Sequence, residues 1–129
     1  MIEIYRNRIN EHFRKIRQVL MVPYETVEMA KRLYGICEKD DRIRCWMHGK
    51  SSKTIAAGIM YIASILTSDG ELPITQREIA LALDMCEPSV RNAYKKILEM
   101  LGCYNITLYF TYRDKRRHIK KSLNHILHL

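Results

Sequence analysis

Five polar side chains within one short stretch, Ser89, Arg91, Asn92, Lys95 and Lys96, are of the types that recognise nucleic acid. Arginine can bond bidentately to guanine and asparagine to adenine in the major groove, while lysine suits phosphate. Val90, Ala93, Tyr94 and Ile97 are interleaved with them at helical spacing. A helix that turns those four inward presents Pro88 and the five polar residues on its outer side. A second basic group follows at Arg113, Lys115, Arg116 and Arg117, continued by Lys120 and Lys121, and it can track phosphates beside such a helix. An ordinary core hairpin with a solvated basic face has the same pattern, so spacing alone leaves both readings open.

Other chemistry is poorly represented. His12, His48, His118, His125 and His128 are scattered, with no paired carboxylates, nucleophile motif or phosphate loop, so the sequence does not read as an enzyme. Cysteines stand at 37, 45, 86 and 103 without a C-x-x-C pair, and Cys37, Cys45 and His48 match no familiar zinc spacing. The expectation is reduced, mostly buried thiols in an intracellular protein, with no metal and no cofactor.

The charge agrees with a polyanionic partner. Lys and Arg total 22 against 14 Asp and Glu, a net charge of +8, and such a balance favours nucleic acid through counterion release. Six basic side chains and one acidic one lie in residues 102–129, so much of the excess is in the tail. The uncharged stretch 54–68 carries Thr, Ser and Gly and falls short of the roughly 20 apolar residues a membrane span needs.

The elements that must position these groups read as helices. Ile2, Tyr5, Ile9, Phe13, Ile16 and Leu20 recur at steps of three and four, with Arg6, Arg8, Arg14, Lys15 and Arg17 largely between them. Pro23 suits the first turn of a second helix ending near Glu38, with Val27, Ala30, Leu33, Tyr34 and Cys37 as its buried stripe. Residues 39–50 show neither helical nor alternating order and read as a connector whose Trp46 packs down. Ser51 or Ser52 can cap a third helix to Leu66, apolar nearly all round and therefore central, with Gly58 marking a close approach of a neighbour. Thr75 and Glu78 form a capping box for a fourth helix to Leu83, and a fifth begins near Pro88 and ends before Gly102. Beyond it, alternation over residues 106–111 predicts a short extended piece, and Ile119, Leu123, Ile126 and Leu127 predict a helix. The division is a helical domain over 1–102 and a basic extension over 103–129, all-α in class.

Residues 75–98 fit a helix-turn-helix. The motif needs a small residue in the first helix, a turn residue tolerant of positive φ four later, and apolar residues on the second helix facing back; Ala80, Asp84, Val90 and Ala93 stand at those offsets.

Two segments together carry a family resemblance. GKSSKTIAAGIMYIAS (49–64) and TQREIALALDMCEPSVRNAYKKI (75–97) resemble the cyclin-like repeat of transcription factor IIB and its archaeal counterpart, in the same order and separation. The resemblance implies a five-helix cyclin box whose third helix is central and whose last two helices form the helix-turn-helix. It implies DNA reading by a helix arginine in the major groove, a position that Arg91 occupies, while Pro88 takes the neighbouring apolar position and implies a different sequence preference. It also implies TATA-binding protein or other transcription machinery as partners.

One repeat and no zinc ribbon are visible, so the expectation is an excised second repeat or a single-box regulator of archaeal or viral type. The setting would be the cytoplasm of an archaeal or virus-infected cell, or a nucleus. Three alternatives remain beside this one: a cyclin-box module that binds proteins, a winged helix-turn-helix with residues 104–112 as the wing, and a tail whose apolar stripe joins two chains into a homodimer or merely solubilises.

Overall fold

The computed structural model describes residues 2–68, 73–108 and 111–128. Its centre is helix α4 (Ser52–Thr67), in which every residue from Ile55 to Leu66 is buried. The helix starts where Ser51 Oγ accepts the Thr54 amide at 3.2 Å, as its sequence predicts. A helix apolar on all sides is stable in water only when neighbours cover it all round. Helices α1 (Ile2–Leu20), α2 (Tyr24–Lys39) and α6 (Glu87–Met100) pack against it, with α5 (Gln76–Ala82) lying on α1 and α6. The shared core includes Ile9, Phe13 and Ile16 of α1, Leu33 and Cys37 of α2, and Val90, Tyr94 and Ile97 of α6. Residues 2–101 therefore form one core around one axial helix.

Residues 39–50, expected as a connector, contain helix α3 (Asp41–His48). Asp40 caps it by accepting the Ile43 amide at 3.0 Å, and Ile43 and Met47, one turn apart, are buried. The Arg44 guanidinium holds the segment from outside through Asp41 at 2.6 Å and the Glu38 carbonyl at 3.1 Å. The Tyr5 hydroxyl donates to the Met47 carbonyl at 3.0 Å, tying α3 to α1. Trp46 packs against the core as expected.

The expected extended piece after Gly102 is also corrected: Ile106–Leu108 is a 3-10 turn, and no strand occurs among the described residues. Tyr109 and Phe110, the rest of that alternation, lie outside the described residues. A wing needs a hairpin, and the winged alternative has no strands to build on among the described residues.

Helix α7 (Tyr112–Leu127) follows, and its stripe of Ile119, Leu123 and Leu127 joins the common core. Three side chains fasten it. Tyr112 donates through its hydroxyl to the carbonyls of Ile65 (3.3 Å) and Ser68 (2.9 Å), Arg116 Nε donates to the Ile65 carbonyl (3.1 Å), and Arg32 of α2 donates to the Leu127 carbonyl (2.6 Å). These bonds satisfy carbonyls that the last turn of a helix cannot pair within itself. The stripe that, in one alternative, would join two chains is thus buried within this one. No helix is long and apolar enough to cross a membrane among the described residues.

Candidate nucleic-acid interface

The helix-turn-helix is built as its sequence prescribes. Thr75 accepts the Glu78 amide at 3.0 Å and Glu78 accepts the Thr75 amide at 3.1 Å, closing the capping box that opens α5. The turn pivots on Asp84, whose φ is 54°, a conformation aspartate tolerates better than most residues. The Met85 amide then donates to the Ala80 carbonyl at 2.9 Å, which fixes the exit direction from α5. Pro88 lies in the first turn of α6, where its missing N–H is no loss.

The orientation of α6 follows from its inner side. Val90, Ala93, Tyr94, Ile97 and Leu98 are buried against α4 and α5. The Tyr94 ring packs on Tyr61 at 4.6 Å between centroids, and burial pushes its hydroxyl up to about 12. Pro88, Asn92 and Lys96 are consequently exposed, with Ser89, Arg91 and Lys95 half-buried on the two shoulders of the same face. Arg91 pairs with Glu87 at 3.7 Å and Lys96 with Glu99 at 3.6 Å. Exposed pairs of this kind contribute about 1 kcal/mol or less, so both cations are available to a competing anion. Ser89 Oγ lies 3.0 Å from Cys86 Sγ, and that hydrogen bond draws the exposed Cys86 thiol below its ordinary value.

A concavity lies along each shoulder. On the Ser89 side, a cleft of about 370 Å³ separates Asn92 and Lys96 from Trp46, Lys50 and Thr54 at the start of α4. On the Arg91 side, a cleft of about 440 Å³ is lined by Ile74, Thr75, Gln76 and Tyr112. Lys50 and Thr54 are not among the residues that the spacing along α6 singles out, yet they line this cleft. Their signal was present in the Gly49-Lys50-Ser51 opening of α4, where a lysine precedes the positive end of a long helix.

The tail candidates divide. Tyr112 shares the cleft with Arg91, so α7 begins beside the outer face of α6. Arg113 and Arg117 are exposed and Lys115 is half-buried. Arg116 instead turns toward α4 and caps its end at Ile65. Cys37 and Cys103 are buried, Cys45 and Cys86 exposed, and no group of three metal-binding side chains occurs among the described residues.

Comparison with known proteins gives this architecture a lineage. Transcription initiation factor IIB of Pyrobaculum islandicum is 32% identical over 99 residues, covering 77% of this chain and 26% of its own length. The factor of Pyrococcus horikoshii is 43% identical over 75 residues, 58% of this chain and 24% of its own. Transcription initiation factor IIB 2 of Thermococcus kodakarensis is 41% identical over 92 residues, 71% of this chain and 28% of its own. The chain is related to transcription initiation factor IIB. This transcription-factor-IIB-like chain spans about a quarter of the length of the curated relatives it matches. No protein-family model and no solved structure matches it. The all-α, cyclin-like fold accords with the relationship, and among the described residues up to 101 the helices α1 to α6 amount to the expected five with α3 inserted between the second and third.

Proposed function

We propose that this chain is a DNA-binding transcription factor or regulator of the transcription-factor-IIB-like type, and not an enzyme, that reads the major groove with α6. The observation that carries the proposal is the division of α6 after the Asp84 turn: Val90, Ala93, Tyr94 and Ile97 face the core, while Arg91, Asn92, Lys95 and Lys96 line the side turned away from it. A major groove about 12 Å wide admits one helix, and the side chains on its outer face then reach base edges.

In this reading Arg91 and Asn92 contact bases, and Ser89, Lys95 and Lys96 contact phosphates. Lys50 and Thr54 receive the backbone on one shoulder, and Arg113, Lys115 and Arg117 follow it on the other. Arg116 contributes by holding α7 in place. Duplex DNA is the partner, in an intracellular setting, with TATA-binding protein or other transcription machinery as protein partners by analogy with the named relatives.

The test is duplex selection from a random pool, followed by affinity measurements at several salt concentrations for the full chain and its Arg91→Ala variant. Losing one bidentate contact of about 1–3 kcal/mol predicts a roughly 5- to 150-fold weaker complex with the selected site, with salt-sensitive residual binding to any duplex. Equal affinity of the two proteins for the selected site would remove Arg91 from the interface. Absence of any duplex affinity would leave the protein-interaction reading of the fold in its place.

A further inference from the structure

The corner between α1 and α2 has the properties of a docking surface that neither the core nor the DNA-reading face accounts for. Met21 is 86% exposed and has a φ of 54°. That backbone conformation normally falls to glycine or asparagine at the end of a helix, because a Cβ there crowds the following carbonyl. Neither burial nor conformational preference explains a methionine at this position. Its neighbours repeat the anomaly: Val19 is 56% and Tyr24 61% exposed. Methionine is a flexible, polarizable side chain suited to surfaces that adapt to a partner, and methionine, tyrosine and arginine are enriched in protein interfaces.

The rim is cationic. Arg14, Lys15 and Arg17 lie in the last turns of α1, and no Asp or Glu occurs from residue 12 to residue 24. Arg14, Arg17 and Gln18 line an open depression of about 480 Å³ together with Met21 and Val22. The Arg17 guanidinium stands 5.5 Å over the Tyr24 ring, which holds its charge beside the apolar group. A phosphate backbone uses cations but has no need of exposed Val19, Met21 and Tyr24. A second copy of a chain carrying +8 is repelled by this rim.

We infer that the α1–α2 corner binds an acidic, apolar segment of another protein, with carboxylates on Arg14 and Arg17 and an apolar side chain against Met21. The residues that line it are none of those that line the two clefts beside α6, so on this proposal the full chain can hold DNA and a protein at once.

Anisotropy with three labelled synthetic peptides tests it on the full chain: one acidic with Leu and Phe, one equally acidic with Ser in their place, and one basic with Leu and Phe. The first is expected to bind at least tenfold more tightly than either of the others. Met21→Gly should weaken that binding at least fivefold while Tm stays level or rises, because glycine relieves the positive φ. Arg14→Glu with Arg17→Glu should abolish peptide binding and leave affinity for the selected duplex within twofold. Equal binding of the two acidic peptides, or full binding by Met21→Gly, would overturn the apolar pocket. A duplex affinity that falls with the arginine pair would reassign the surface to nucleic acid and overturn the proposal.

Discussion

Gly58 of α4 and Ala93 of α6 are packed so closely that a Cβ on the glycine would lie 3.0 Å from the alanine's own Cβ and 3.0 Å from the Tyr94 backbone nitrogen. The contact sets how deeply α6 sits on the axial helix, and through it the height at which Arg91 and Asn92 stand on the surface. Two effects oppose each other in Gly58→Ala. Helix propensity favours alanine by about 1 kcal/mol, while overpacking a filled core costs about 1–3 kcal/mol. One of the obstructing groups is backbone and cannot rotate away, so the cost prevails. Urea unfolding should show a net loss of up to about 2 kcal/mol, and a variant more stable than the parent would mean that α6 can shift outward freely.

The turn gives a prediction of opposite sign. Asp84 holds a φ of 54°, where a side chain costs energy that glycine does not incur. Asp84→Gly should leave stability unchanged or raise it by up to about 1 kcal/mol, with duplex affinity preserved. Asp84→Val, β-branched and poorly suited to positive φ, should lower stability by about 1–3 kcal/mol. Equal midpoints for the two variants in thermal unfolding would show that the turn relaxes to a negative φ.

Stability should also fall with acid for two identifiable reasons. Hydrogen bonding from Arg6 holds the Glu38 carboxyl below its ordinary 4.5, and desolvation holds His12, which lies 3.1 Å from Ser52 Oγ, below its ordinary 6.5. Both groups bind protons less readily folded than unfolded. Each therefore contributes stability above its unfolded pKa that is lost as pH falls through its folded one. His12→Gln should flatten the stability profile just below pH 6.5, and Glu38→Gln should flatten it below pH 4.5. Unchanged slopes in the variants would assign the acid sensitivity to other groups.

Much of this molecule was legible because its signals are local. The Thr75–Glu78 box, the Asp84 turn and the inward stripe of α6 each depend on residues a turn or two apart, and each forms as read. The α4 cap at Ser51 and the close approach at Gly58 were visible for the same reason. Helix α3 escaped because eight residues hold only one buried pair, Ile43 and Met47, too few to set a period against the surrounding charges. The role of Arg116 escaped for another reason. Its partner, the Ile65 carbonyl, is 51 residues away, and a side chain that caps a distant helix looks the same in sequence as one that meets phosphate.

Charge and packing are carried by different residues of the tail. Arg113 and Arg117 are exposed, whereas Ile119, Leu123 and Leu127 are buried in the common core. In the proposed reading, replacing both arginines with alanine removes two phosphate contacts while leaving the buried stripe in place. The slope of log affinity against log salt should therefore shrink by about 1.8, at about 0.9 per phosphate, with Tm unchanged. Removing everything after Gly102 is a different experiment. It uncovers the surface beneath three apolar side chains whose burial contributes about 1.5–3 kcal/mol each, a large share of the roughly 5–15 kcal/mol that holds a domain together. It also leaves the Ile65 carbonyl without Tyr112 and Arg116. The truncated chain should unfold at a markedly lower temperature, and its loss of DNA binding would then report on folding instead of on charge. A truncated chain with the parent's Tm would show that α7 is a detachable arm, and an unchanged salt slope in the double arginine variant would take α7 out of the DNA interface.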